Sequence, residues 1–301
     1  WELARTVHPY GVKVRRDLHQ NPELSFCEHE THRYLATALQ ELGYSFRAGL
    51  GGGTGLQVVI RGARPGPVVA LRADIDALPI QEETGLPFAS RRPGVMHACG
   101  HDVHTAILLA TAKALWSIKD ELPGQVVLIF QPGEEKNPGG ASLMIRDGVL
   151  DQPKVDAIFG LHVEPFLEAG RMAFGEGPMM AAPDELRVTI VGRGGHGATP
   201  HLTVDPVLTA CQVITALQQV VARNVNPFQP AVVTIGMIQG GSAHNVIPDE
   251  VSFVGTVRTM DPELRRLMPE RIEAVVRGIC AAAGASYRFH YEHGYPVLVN
   301  H

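Results

Sequence analysis

Cys99 and His101 stand two residues apart in His97-Ala98-Cys99-Gly100-His101-Asp102-Val103-His104. In an extended segment, residues at that spacing project from one face, and a glycine between them lets the backbone bend. A thiolate and an imidazole side by side suit zinc or a similar borderline metal. Asp102 and His104 can orient such ligands or simply cap and open the following helix. A buried cysteine near a surface histidine cluster is the plainer alternative. A second group closes the run Phe130-Gln131-Pro132-Gly133-Glu134-Glu135, where an apolar stretch ends in Pro-Gly and two carboxylates. Adjacent side chains point in different directions. One carboxylate can therefore ligate a metal while the other takes a proton from water, a division that suits hydrolysis. Two glutamates at the start of a helix, favoured by its dipole, would look the same in sequence. His162 follows another apolar run in Phe159-Gly160-Leu161-His162-Val163. Asp74 and Asp76, in Leu71-Arg72-Ala73-Asp74-Ile75-Asp76-Ala77-Leu78-Pro79, are ligand-orienting acids or turn formers.

These groups need elements that bring them together. Short β-rich runs are expected at Gln57 to Arg61, Val68 to Arg72, Val126 to Phe130 and Ala157 to Leu161. Helices are expected from about Glu2 to His19, from a Ser25-Phe26-Cys27-Glu28 capping box to Leu42, from Thr105 to Ile118 and from Gly140 to Asp147. The alternation predicts an α/β domain with a central, mostly parallel sheet and helices on both faces. In such sheets, ligands gather at the carboxyl ends of the strands. Cys99, His101, Glu135 and His162 all lie at or beyond such ends, so N, S and O ligands would come from three separate segments.

The pattern changes near Pro183. Strand (Glu185 to Val191), helix (Asp205 to Arg223), strand (Ala231 to Ile238), strand (Val246 to Arg258), helix (Pro262 to Ala283) and strand (Ser286 to Tyr291) follow in β-α-β-β-α-β order. That is the ferredoxin-like arrangement. The expected division is residues 1–183, 184–295 and a short return at 296–301. The glycine-rich stretch Gly192-Arg193-Gly194-Gly195-His196-Gly197-Ala198 lacks the Lys-Ser/Thr of a phosphate loop; its glycines can bring His196 close to another surface. Asn245 and Arg258 complete the polar set, and Arg258 can grip a carboxylate bidentately.

Composition narrows the function classes. The chain has 301 residues, 45% hydrophobic and 19% charged, with a formal charge of -5. That is too apolar for a disordered chain, and no basic excess collects phosphates, so nucleic acid is not an expected partner. Its apolar runs fall far short of the roughly 20 residues that span a bilayer, so a membrane is not expected either. Four widely spaced cysteines do not make a disulfide scaffold. With no signal-peptide pattern at the N-terminus, the cytoplasm is the default expectation. A nucleotide site at Gly51-Gly52-Gly53-Thr54-Gly55 is disfavoured, since these glycines do not lead from a strand into a helix.

Taken in order, Arg16 to Ser25, Arg72 to Pro79, His97 to His104, Gln131 to Glu135, Gly160-Leu161-His162, Gly194 to His201 and Asn245 to Asp249 resemble a known family. It is that of the aminoacylase and carboxypeptidase metallohydrolases, in the amidohydrolase branch with hippurate hydrolase and plant auxin-conjugate hydrolases. The resemblance implies a catalytic domain of the dizinc aminopeptidase and phosphorylase-like kind, with an inserted ferredoxin-like lid that mediates homodimerisation. It implies two divalent metal ions per subunit (zinc, manganese, cobalt or nickel) held by Cys99, His101, Glu135 and His162, with Asp74 behind them. Glu134 would be the general base and then the acid. His196 would polarise the scissile carbonyl, from the neighbouring subunit in related enzymes. Asn245 and Arg258 would hold polar groups of an N-acyl amino acid or small peptide. Family members finish the catalytic domain with a C-terminal segment carrying a further His ligand; His301 lies too close to the end of the lid to be that residue, so either the natural chain continues or this is a truncated form whose site lacks a ligand. A metal- or ligand-binding protein with a weakened site on the same fold is the alternative.

Overall fold

Val127 to Phe130 is buried on both sides, with Val127, Leu128 and Phe130 at 0% exposure and Ile129 at 3%. A strand that reads as a continuous apolar run belongs in the middle of a covered sheet, and this one sits there. The computed structural model describes residues 1–301, and the chain forms two units, Trp1–Arg171 and Met172–His301. In the first, α1 (Glu2–Gln20) and α2 (His29–Glu41) precede β1 (Phe46–Leu50), β2 (Gly55–Arg61) and β3 (Arg64–Asp74). Then follow α3 (His101–Ile118), β4 (Pro123–Gln131), α4 (Gly140–Arg146) and β5 (Ala157–Gly160). The five strands are ordered β1-β2-β4-β3-β5. The β4, β3 and β5 half is parallel, whereas β2 pairs antiparallel with both β1 and β4. The central sheet is therefore mixed.

Alternation along β4 divides its side chains between two cores. Leu128 and Phe130 join Val58, Leu35 of α2, Val14 and Leu18 of α1, and Leu109 of α3. Val127 and Ile129 pack with Ala70, Leu50 and Met144 of α4. Helices thus cover both faces, and the carboxyl ends of β3, β4 and β5 emerge together, with Asp74 beside Gln131 and Arg72 beside Gly160.

The second unit contains β6 (Gly177–Met180), β7 (Ala182–Val191), β8 (Gly195–His196), α5 (Pro206–Asn224), β9 (Ala231–Gly240) and β10 (Val246–Ile247). These lead to β11 (Glu250–Thr259), α6 (Pro262–Ala283), β12 (Ser286–Glu292) and β13 (Leu298–Asn300). Its antiparallel sheet runs β12-β7-β11-β9, the ferredoxin-like order. Leu186, Val188, Ile190, Phe253 and Val257 face Val213 and Leu217 of α5 and Met268, Ile272 and Val276 of α6. The stretch Met172 to Met180 groups with this unit, ahead of the expected division at 183, because β6 pairs with β13.

Two expected elements differ. The strand expected from Val246 to Arg258 is broken at Pro248, which has no N–H for a ladder; Val246 and Ile247 pair with β8, and β11 begins only at Glu250. The Ser25–Glu28 capping box does not form, because both side chains are engaged elsewhere. The start of α2 is capped instead by Glu23, whose Oε2 accepts the N–H groups of Glu30 and Thr31, each at 2.8 Å.

Candidate metal centre

Each polar group of the first unit's site is set by the end of a parallel strand or by the start of α3. Asp74 is the last residue of β3, and Asp76 lies two further on. Pro132 and Gly133 turn the chain after β4 and leave Glu134 and Glu135 beside them. His162 follows β5, and His101 is the first residue of α3, with Cys99 two before it. Cys99 Sγ lies 3.3 Å from His162 Nε2. His101 Nε2 lies 3.7 Å from Glu135 Oε1, 3.7 Å from Asp74 Oδ2 and 4.0 Å from Glu134 Oε2.

The imidazole hydrogen bonds fix which nitrogens face inward. His101 Nδ1 donates to Asp76, to its carbonyl oxygen at 3.0 Å and to Oδ1 at 3.2 Å. His162 Nδ1 donates to the Val163 carbonyl oxygen at 2.7 Å. In both rings Nε2 is left for the cluster, the arrangement in which histidine ligates a metal while its other nitrogen is held by an oxygen. His104 differs. Its Nδ1 donates to Asp74 Oδ1 at 2.6 Å and its Nε2 accepts the Val163 N–H at 2.9 Å, so both nitrogens are used. It ties the His162 segment to β3 and is not free to ligate. Asp102 turns away from the cluster and meets His19 and Arg15, each at 2.8 Å.

The electrostatics are those of a cation site. Hydrogen bonds to His101 and His162 pull the Cys99 thiol below its ordinary value. Its bond to Cys99 pushes His162 up to about 9. Burial works against charge on His101, but its bonds to Asp76 and Cys99 prevail and hold it at about 11. Glu134 is raised by burial first, then by the charges of Glu135 and Asp74. Glu135 Oε1 is buried with no hydrogen-bond partner. Protons held on histidines among carboxylates and a thiol, beside an orphaned carboxylate oxygen, are what divalent ions displace on binding. The donor sets Cys99/His101/His162 and His101/Glu134/Glu135 each converge within 4.8 Å. Their mixed S, N and O character fits first-row divalent metals.

The second unit brings two of its expected residues together and separates the third. His196 in β8 is paired with Val246 of β10, and the Asn245 carbonyl oxygen accepts the Gly197 N–H at 2.8 Å. His196 Nδ1 accepts the Ala198 N–H at 3.1 Å, which leaves Nε2 as the donor nitrogen of the neutral ring. Arg258 lies near the far end of β11, paired with Pro183 and Val232, roughly 25 Å of strand from the Glu250 end. Its guanidinium is half-buried and bonded only within its own strand, to Thr256 and Val257.

Asp76 is the residue whose part the sequence left open. One oxygen receives His101; the other accepts Ser25 Oγ at 2.6 Å and the Glu135 N–H at 2.9 Å. Burial alone would raise its carboxyl, but these bonds hold it below its ordinary value. The Asp-x-Asp spacing at a strand end was the available signal.

Several known proteins are similar to this chain over most of its length. The family model described as peptidase family M20/M25/M40 matches residues 70–301. An N-acyl-L-amino acid amidohydrolase of Geobacillus stearothermophilus is 48% identical, over 100% of this chain and 81% of its own length. Thermostable carboxypeptidase 1 of Saccharolobus solfataricus is 40% identical, over 99% of this chain and 76% of its own. The crystal structure of the YXEP protein of Bacillus subtilis, a dinuclear metal binding peptidase, superposes with a TM-score of 0.81 at 41% identity, covering 99% of this chain and 77% of that one.

Proposed function

The chain belongs to peptidase family M20/M25/M40, and from that premise we propose that it hydrolyses the amide bond of N-acyl amino acids or small peptides in a metal-dependent reaction. The observation that carries this reading is the meeting of Cys99 and His101 from the start of α3 with Glu135 and His162 from the ends of β4 and β5, with Glu134 beside them. In this reading Cys99, His101, Glu135 and His162 hold two divalent ions, drawn from zinc, manganese, cobalt and nickel. When bound, such ions acidify water and polarise a carbonyl.

Glu134 supplies the base. Its raised carboxyl brings it closer to the neutral range in which proton transfer in both directions is efficient. It takes a proton from the attacking water as the oxygen bonds to the carbonyl carbon. It returns that proton to the nitrogen as the C–N bond breaks, so an amine and a carboxylic acid leave, and the acid gives its remaining proton to the amine or to solvent. Asp76 keeps the His101 ring and the Glu135 backbone in register, and Asp74 with His104 steadies the His162 segment. His196, with its donor Nε2, is assigned to the oxygen that gains negative charge. Asn245 and Arg258 are assigned to the polar groups of the substrate, Arg258 to a carboxylate, since no acidic side chain engages its guanidinium. The lid is assigned the homodimer contact. Its outer strand β9 has an unpaired edge and exposes Val232, Met237 and Ile238, features that invite pairing with another chain.

Glu134→Gln keeps the size of the side chain and removes the base. Turnover of an N-acyl amino acid panel is expected to fall by about 10²–10⁴-fold, with metal content per chain unchanged. Turnover equal to the unsubstituted chain would remove Glu134 from the reaction.

A further inference from the structure

Glu28 is fully buried, at 0% exposure, where a carboxylate is costly unless every oxygen is engaged. Its bonds lead straight to the catalytic turn. Oε1 accepts the N–H of Gly133 at 2.8 Å and of Phe26 at 2.9 Å, and Oε2 accepts the Thr54 hydroxyl at 2.7 Å. On the other side of Glu134, the Glu135 N–H is accepted by Asp76 Oδ2 at 2.9 Å. The two N–H groups that bracket the candidate base are thus each received by a buried carboxylate.

Phe26 adds a second observation. It is the one non-glycine residue with a positive φ, 64°, a strained conformation that persists only when surrounding structure over-determines it. Its ring lies against Gly133: a Cβ added there would come within 2.4 Å of ring carbons. Gly133 itself has φ +57°, so its peptide is seated on the ring with no room for a side chain. A buried carboxylate contributes little net stability, because desolvation offsets much of what its bonds supply. Strain and a buried charge gathered beneath one turn point to control of its direction.

We propose that Glu28 is a positioning residue: through the Gly133 N–H, with Phe26 as the seat, it sets the directions of Glu134 and Glu135. This rests on the catalytic reading of those two glutamates given above.

Three substitutions separate positioning from bulk stability. Glu28→Gln keeps an oxygen for Gly133 and can donate its amide to Thr54 Oγ1. Glu28→Ala removes the acceptor, and Thr54→Val removes only the hydroxyl. Two measurements are made: amide hydrogen exchange at Gly133 in the metal-free chain, and kcat and KM in the metal-loaded chain. Glu28→Ala is expected to speed Gly133 exchange and to lower kcat by about 10–100-fold, the usual range for residues that orient ligands, with little change in KM. Glu28→Gln should restore most of both, and Thr54→Val should leave kcat near that of the unsubstituted chain. Should Glu28→Ala not fold, Glu28→Asp, one methylene shorter, is expected to show the same losses. Wild-type kcat with unchanged Gly133 protection in Glu28→Ala or Glu28→Asp overturns the proposal, as does equal loss in all variants. If the unsubstituted chain turns over no N-acyl amino acid, the functional reading fails on its own. Gly133 exchange then decides the clamp, and unchanged protection in Glu28→Asp refutes it.

Discussion

At the scale of single residues, chemistry-bearing types were legible and the groups that support them only in part. Glu134, Glu135 and His162 announce themselves because paired carboxylates and an imidazole follow apolar runs that must end at a sheet edge, and Cys99 and His101 because a thiol and an imidazole stand two apart before a helix. Asp76 and Glu28 act through backbone N–H groups 59 and 105 residues away, and no local pattern encodes such a partner. His104 shows the converse. It sits in the most ligand-like stretch of the chain, yet Asp74 and Val163 take both of its nitrogens. The importance of Asp76 gives a direct test. Asp76→Ala frees the His101 ring and the Glu135 N–H together, so metal affinity should fall by about 10–100-fold. Equilibrium titration with zinc against a competing chelator measures it, and an unchanged affinity would show that Asp76 does not support metal binding through His101 or Glu135.

At the scale of elements, strands were readable wherever burial imposes a pattern. β4 reads as an apolar run because both of its faces are covered, whereas β1 was not anticipated, since Arg47 and its neighbours lie on an exposed outer strand. The capping box at Ser25 failed for a physical reason: both of its side chains find buried partners elsewhere, and Glu23 satisfies the helix start instead. In the second unit a buried carboxylate ties elements together. Asp184 of β7 is bonded by Arg265 of α6, Tyr291 of β12, His293 and the Gly294 N–H. Burial alone would raise its carboxyl; the bonds from Arg265, Tyr291 and Gly294 prevail and hold it below the ordinary 3.8. A depressed pKa contributes stability above the unfolded value, and that stability is lost as pH falls through the folded value. Asp184→Asn should therefore be less stable than the unsubstituted chain by about 3 kcal/mol near neutral pH, with the gap closing below about pH 4. Denaturant melts across pH check this, and a gap that persists undiminished in acid would contradict it.

At the scale of the whole molecule, the order of elements carried most of the fold. The β-α-β-β-α-β succession after Pro183 becomes the β12-β7-β11-β9 sheet, and the strand-helix alternation before it becomes a sheet covered on both faces. The antiparallel β2 could not be read in advance, because parallel and antiparallel pairing leave similar apolar runs in a covered strand. No helix is long and apolar enough to cross a membrane. In the proposed function, the ends of β4 and β5 and the start of α3 assemble a dinuclear metal site. Metal content per chain, by elemental analysis after loading with zinc or manganese and desalting, tests this most directly. About two ions per chain are expected, as in a dinuclear centre, falling to none when Cys99, His101 and His162 are replaced together. A desalted chain that retains no metal would contradict such a site.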